Sequence, residues 1–124
     1  MIREVIRSPK IQMSSNIVNG KALEGDCFFK NVNLSVVKLS NSIQLIGDCV
    51  FLCCSSLTQV IIPSSVTSIG YDAFSGCTSL TQIIIPSSLK SISKCAFKGC
   101  TSLSQITFEL PSSVTLIEKN AFSG

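Results

Sequence analysis

The chain has 124 residues, enough for one domain, of which 45% are hydrophobic and 14% charged, against roughly 25% charged in an ordinary soluble domain. Its net charge is +3, it has no histidine, and no Lys or Arg lies between Leu39 and Leu89. That balance excludes the clustered basic face of a nucleic-acid binder, and the missing imidazole removes the usual general base and the commonest metal ligand.

In chain order, residues 1–22 read as an irregular leader or N-terminal cap, with Ile2, Val5 and Ile6 placed to cover a first hydrophobic layer from a short helix. The opening MIREVIRSPKIQMSSNIVNG lacks the apolar run of about 7–15 residues of a signal peptide. No stretch approaches the ~20 apolar residues of a membrane-spanning helix. A repeated region occupies 23–124, where GDCFF at 25–29 already echoes GDCVF at 47–51. From Asn31 the repeats are regular, at 31–53, 54–76, 77–99 and 100–124. The clearest pair is CSSLTQVIIPSSVTSIGYDAFSG followed by CTSLTQIIIPSSLKSISKCAFKG; Cys54 to Cys77, Leu57 to Leu80, Pro63 to Pro86 and Phe74 to Phe97 all fix a period of 23. A constant period in the twenties is the mark of a leucine-rich-repeat solenoid, in which each unit buries its apolar face only against its neighbours. The expected fold is mainly β, a solenoid of short parallel strands with a few short helical turns.

Within one unit, Thr58 to Ile62 is β-rich and alternating, so it reads as a strand with Leu57, Val60 and Ile62 inward. Pro63 fixes φ, has no N–H to give to a ladder, and ends the strand at Pro63-Ser64-Ser65. Val66 and Ile69 face the core again from a second short strand, and Gly70 permits the next bend. Ala73 and Phe74 follow on one helical or 3₁₀ turn, and Phe51, Phe74, Phe97 and Phe122 should form one column. The last unit is longer: Leu103 to Phe122 is 19 residues against 17 from Leu80 to Phe97, which predicts a bulge or widened turn at Glu109-Leu110.

The seven cysteines are an odd number, so they cannot all pair internally. Cys54, Cys77 and Cys100 share one repeat position, preceded by Asn31. Stacked residues lie about 4.7–4.9 Å apart with parallel Cβ vectors, which disfavours a disulfide and points to buried free thiols, as suits a reducing compartment. Cys49-x₃-Cys53 has no second pair to close a zinc site, so no metal or cofactor is expected. The carboxylates Glu4, Glu24, Asp26, Asp48, Asp72, Glu109 and Glu118 form no repeated pair, and Asp48 and Asp72 read as turn caps. No catalytic residue is assigned. Lys94 and Lys119 share a rung and read as a modest, solvated basic flank; Asn33-Leu34-Ser35 matches a glycosylation sequon, relevant only to a secreted chain.

The pattern L-x-x-V/I-x-I-P-S-S-V-x-x-I-G-x-x-A-F-x-x-C resembles the BspA-type leucine-rich repeats. Residues 54–122 match closely, and 31–53 match with Ser40 in place of the proline. The resemblance implies the setting of surface and secreted proteins of bacteria and protozoan parasites. It also implies adhesion to, or recognition of, a protein ligand, commonly a host or extracellular-matrix protein.

With Leu57, Val60 and Ile62 inward, Gln59 and Ile61 point outward, and the same phase exposes Gln82, Ile84, Gln105 and Thr107, with Lys38 in the isoleucine column. Adjacent exposed isoleucines make an apolar strip of the kind that marks an interaction surface. Lys38, Gln59, Ile61, Gln82, Ile84, Gln105 and Thr107 are therefore the candidate protein-binding residues of a non-enzymatic recognition module. The alternative is structural. The last coil, around Phe108 and Leu110, carries no polar cap and offers unpaired strand edges, so the chain would self-associate there into a homo-oligomer.

Overall fold

The computed structural model describes residues 35–124 together with the backbone of three short strands upstream, β1 (Ile11–Ser14), β2 (Ile17–Gly20) and β3 (Ala22–Leu23). The helix expected at Ile2, Val5 and Ile6, the echo at 25–29, Asn31 and the sequon at Asn33 lie outside the described residues. Then follow β4 (Val36–Leu39), β5 (Leu45–Ile46), β6 (Gln59–Ile61), β7 (Ser68–Ile69), β8 (Gln82–Ile85), β9 (Ser91–Ile92), β10 (Gln105–Phe108) and β11 (Leu116–Ile117).

Each repeat is one coil that lays down a longer and a shorter strand, so like strands stack in parallel. The shorter ones form a five-stranded sheet in the order β11-β9-β7-β5-β3. The longer ones form the opposite wall, which is split: β1-β2-β4-β6 make one sheet and β8-β10 another. β2, β4 and β6 run parallel, and β1 lies antiparallel at the edge. The register repeats the sequence period, as in Val36↔Gln59, Ser68↔Ser91 and Gln82↔Gln105.

The third side joins the walls, and here one expectation fails. Among the described residues there is no helix; Ala73-Phe74 sits in a run of tandem turns. Backbone donors explain why. The N–H groups of Ala73, Ser75 and Cys77 donate within the coil to the carbonyls of Gly70, Asp72 and Phe74 at 3.2–3.3 Å. The alternate N–H groups of Asp72, Phe74 and Gly76 donate outward to Lys94, Ala96 and Lys98 of the next coil, down to 2.7 Å. A helix would draw every donor inward and leave the next coil's carbonyls unsatisfied, a cost of about 1–3 kcal/mol for each buried group. This alternation needs a left-handed residue at two places per coil. One column is Cys49, Asp72, Cys95 and Asn120, with φ of 56–62°; the other is Cys53, Gly76, Gly99 and Gly124, with φ of 58–84°.

The core is continuous. Leu57, Val60, Val66, Ile69, Ala73, Phe74, Cys77 and their equivalents in the coil on either side are buried where described, except in the last coil, and among the described residues no buried one is polar or charged. At about 1.5–3 kcal/mol per buried aliphatic or aromatic side chain, this stacking is what holds strands of two to four residues. The rings of Phe51, Phe74, Phe97 and Phe122 do form one column, each centroid 5.1 Å from the next and nearly parallel to it. Gly70 works differently from the sequence expectation. It is needed for close approach, since an added Cβ would stand 2.8 Å from the Asp48 nitrogen and the Gly47 carbonyl carbon.

Hydroxyl groups tie coil to coil where charges are scarce. Ser65 Oγ donates to the Ile43 carbonyl and Ser88 Oγ to that of Val66, both at 2.6 Å, while Thr58 and Thr67 reach the carbonyls of Ser35 and Gln44. Ser40 replaces the proline without loss of the turn, because the Ile43 N–H donates to its carbonyl as Val66 does to Pro63. The two extra residues of the last coil are absorbed after β10: Phe108 still pairs with Ile85, a cis Leu110-Pro111 bond follows, and pairing resumes at Leu116↔Ser91. The widened turn thus falls where expected. No helix of the described residues is long and apolar enough to cross a membrane.

Candidate functional site: the strand face

Alternation along the longer strands fixes what this wall shows to solvent. In β6 the outer residues are Gln59 and Ile61 and the inner one is Val60; in β8 the outer ones are Gln82 and Ile84, with Ile83 and Ile85 buried. Gln105 and Thr107 of β10 and Lys38 of β4 are exposed on the same side. The register aligns them: Lys38 lies beside Ile61, Gln82 beside Gln105, and Ile84 beside Thr107. All seven residues singled out by the sequence therefore stand on one face in two columns, with Ile61 42% and Ile84 48% exposed.

The split in the wall adds a feature that alternation could not reveal. β6 and β8 are neighbours but share no ladder, and between them lies a shallow notch of about 130 Å³. Gln59, Ile61, Gln82 and Ile84 line it, and Glu109 of the last coil joins the lining. Sequence reasoning had placed Glu109 only in a widened turn. Counting two residues on from Thr107 along the same face was the available signal. Among the described residues Lys38 and Glu109 are the charged groups of this wall: Lys38 lies beside Ile61, and Glu109 lines the notch.

Elsewhere the chemistry is that of a scaffold. None of the described cysteines, Cys49, Cys53, Cys54, Cys77, Cys95 and Cys100, is in a disulfide. Cys77 Sγ donates to the Phe51 carbonyl at 3.2 Å and Cys100 Sγ to the Phe74 carbonyl at 3.1 Å, so this column serves the turns of the preceding coil. The hydrogen bond with Cys100, then burial, then the neighbouring Cys54 push the Cys77 thiol far above its ordinary range, while the same hydrogen bond draws Cys100 down. Among the described residues no three Cys, Asp or Glu side chains converge as a metal donor set. Asp48 caps the next coil, its Oδ1 accepting the Tyr71 N–H at 2.8 Å. Lys94 and Lys119 are exposed on one rung, and the Glu118 carboxylate accepts the Lys94 N–H at 3.1 Å.

The profile of the BspA-type leucine-rich-repeat region matches residues 21–124 in six copies. Among solved structures, a leucine-rich repeat protein of Bacteroides ovatus is 29% identical, with a TM-score of 0.71 over 94% of this chain and 36% of its own. A leucine-rich cell surface protein of Faecalibacterium prausnitzii is 27% identical, with a TM-score of 0.56 over 94% of this chain and 38% of its own. The leucine-rich repeat protein of T. pallidum is 26% identical, with a TM-score of 0.65 over 91% of this chain and 63% of its own. The chain thus spans between about a third and two thirds of the length of these structures. No curated protein matches it. The 23-residue register, the stacked phenylalanines and the profile match across the described coils all agree, and the chain belongs to the BspA-type leucine-rich-repeat family.

Proposed function

We propose that the chain is a non-enzymatic protein-recognition module, adhesin-like in role, that binds its protein ligand through the strand face. The observation that carries this is the pair of exposed isoleucines. One rung position holds Lys38, Ile61, Ile84 and Thr107, with Lys38 paired to Ile61 and Ile84 to Thr107, so strand pairing there does not call for isoleucine. Membership of a leucine-rich-repeat family supports a protein-interaction role, and the likeness to a protein described as a leucine-rich cell surface protein supports a surface setting. The test is capture of purified extracellular-matrix and cell-surface proteins by the immobilised chain. Ile61→Glu with Ile84→Glu should abolish capture while circular dichroism and the unfolding midpoint stay near wild type. Capture that is undiminished in the double variant refutes the strand face as the binding surface.

A further inference from the structure

Recognition through the strand face leaves the ligand's chemistry open, and the notch between β6 and β8 narrows it. The wall is stretched where its two sheets meet. At one position of each coil a backbone N–H donates to the preceding coil: Thr58 to the Ser35 carbonyl at 2.8 Å, Thr81 to that of Thr58 at 3.4 Å, and Ser104 to that of Thr81 at 3.0 Å. The longest of the three spans the step at which β6 and β8 share no ladder. The lining there reaches Val60 and Ile62 as well as the outer Gln59, Ile61, Gln82 and Ile84.

Glu109 is the charged member of this lining, and the repeat does not supply it. Phe108 pairs with Ile85, so Glu109 stands where the preceding coil has Pro86, at the place where the last coil is longer. Its N–H donates to the Ile85 carbonyl at 2.9 Å, which fixes its backbone against β8, and the residue itself is exposed. Among the described residues the lining holds no cation, so two apolar side chains and two amides accompany one negative charge.

That set selects among side chains. A carboxylate brought to the notch is repelled by Glu109. An aliphatic side chain would strip water from Glu109 without replacing its hydrogen bonds. A long basic side chain meets both demands, since its methylenes can lie against the isoleucines while its head stays with the carboxylate. Of the two basic residues, lysine brings three donors on a strongly hydrated point charge, whereas arginine brings five in a planar fork that engages both carboxylate oxygens. The carbonyl oxygens of the Gln59 and Gln82 amides are acceptors for the donors that the carboxylate leaves over. We infer that the notch takes an arginine side chain of the protein ligand, its methylenes against Ile61 and Ile84 and its guanidinium on Glu109. This assignment rests on the strand face being the recognition surface.

The experiment is an NMR titration of the isotope-labelled full chain, read at the side-chain amides of Gln59 and Gln82 and the methyl groups of Ile61 and Ile84. The probe is the capped peptide Ser-Gly-Arg-Gly-Ser, compared with peptides that carry lysine, norleucine or glutamate in the middle. The arginine peptide should shift these signals saturably and bind roughly five-fold tighter than the norleucine peptide, the upper range for one exposed ion pair, with lysine between them and glutamate not bound. Added salt should weaken the arginine peptide and leave norleucine unchanged. Glu109→Gln keeps the backbone bond to Ile85 and should lower arginine to the norleucine level. Glu109→Lys should transfer binding to the glutamate peptide, a gain that a misfolded variant could not show. Lysine binding as tightly as arginine overturns the assignment. So does equal binding of arginine and norleucine, and if Ile61→Glu then removes both, recognition through the strand face still stands. If no peptide moves these signals the arginine assignment falls, while the strand face falls only if capture of protein ligands survives Ile61→Glu with Ile84→Glu.

Discussion

Cys53 occupies a backbone position that the three following coils give to glycine. Its φ is 58°, in register with Gly76, Gly99 and Gly124 at 76°, 75° and 84°. An L-residue in the left-handed region costs about 1–2 kcal/mol, while glycine costs about 0.5–1 kcal/mol in lost unfolded-chain freedom. Cys53→Gly should therefore stabilise the protein by about 0.5–1 kcal/mol, since Cys53 is exposed and gives up little packing. Cys53→Ala, which keeps the Cβ, should be close to neutral. The neighbouring coil supplies a control: a Cβ added at Gly76 would stand 3.2 Å from Cys53 Sγ, whereas one added at Gly99 meets nothing nearer than 3.6 Å. Gly76→Ala should cost about 0.5 kcal/mol less in the Cys53→Gly background than in wild type, the coupling expected of two residues in contact. Gly99→Ala should cost the same in both. Urea unfolding with a shared m-value reads all of these. A lower midpoint for Cys53→Gly, or equal costs of Gly76→Ala in the two backgrounds, would refute the assignment of the strain.

The phenylalanine column gives a graded expectation. Phe74 is fully buried between two stacked rings, so Phe74→Ala should cost about 3–5 kcal/mol, while Phe122→Ala, half-buried with one ring neighbour, should cost roughly half that by the same unfolding assay. The Cys77–Cys100 pair makes the protein sensitive to alkali. Cys77 has a folded pKa above its ordinary 9.0. Below that value both states keep the proton and this contribution to stability is complete. As pH rises past it, the unfolded chain loses a proton that the folded chain retains, and stability falls by about 1.4 kcal/mol per pH unit. Cys77→Ala should flatten that slope above pH 9; an unchanged slope would place the effect elsewhere.

Much of the fold was legible because a repeat states its constraints several times. The pairing of Val36 with Gln59 and of Ser68 with Ser91, the phenylalanine column and the inward phase of Leu57, Val60 and Ile62 all follow from the period and strand alternation. What was missed depends on where backbone donors go, and side-chain patterns do not record that. Ala73-Phe74 has helix-compatible residues, yet alternate N–H groups are committed to the next coil. Gly70 signalled a bend to the sequence, although its actual constraint is the approach of Gly47 and Asp48 from the preceding coil. The candidate site divides in the same way. Exposure of Lys38, Ile61 and Ile84 follows from alternation. The unpaired step between β6 and β8, and the return of Glu109 over the notch it creates, are tertiary consequences of how the coils stack.

That difference bears on which residues carry function in a solenoid. Positions repeated with little variation, such as Leu57 and Leu80 or Phe74 and Phe97, are explained by burial alone, since removing any of them opens a cavity between coils. Positions that share one backbone environment yet differ in side chain cannot be explained by the fold. The column of Lys38, Ile61, Ile84 and Thr107 is of this kind: each is exposed on a longer strand, at the corresponding position of successive coils. Two adjacent isoleucines there expose apolar surface to water, and on the proposed reading that surface is what a protein ligand covers. Lys38 borders that strip on the β4 side, and Glu109 lines the notch between Ile61 and Ile84. Specificity in this chain would then reside in the order of a few side chains along an otherwise uniform ladder.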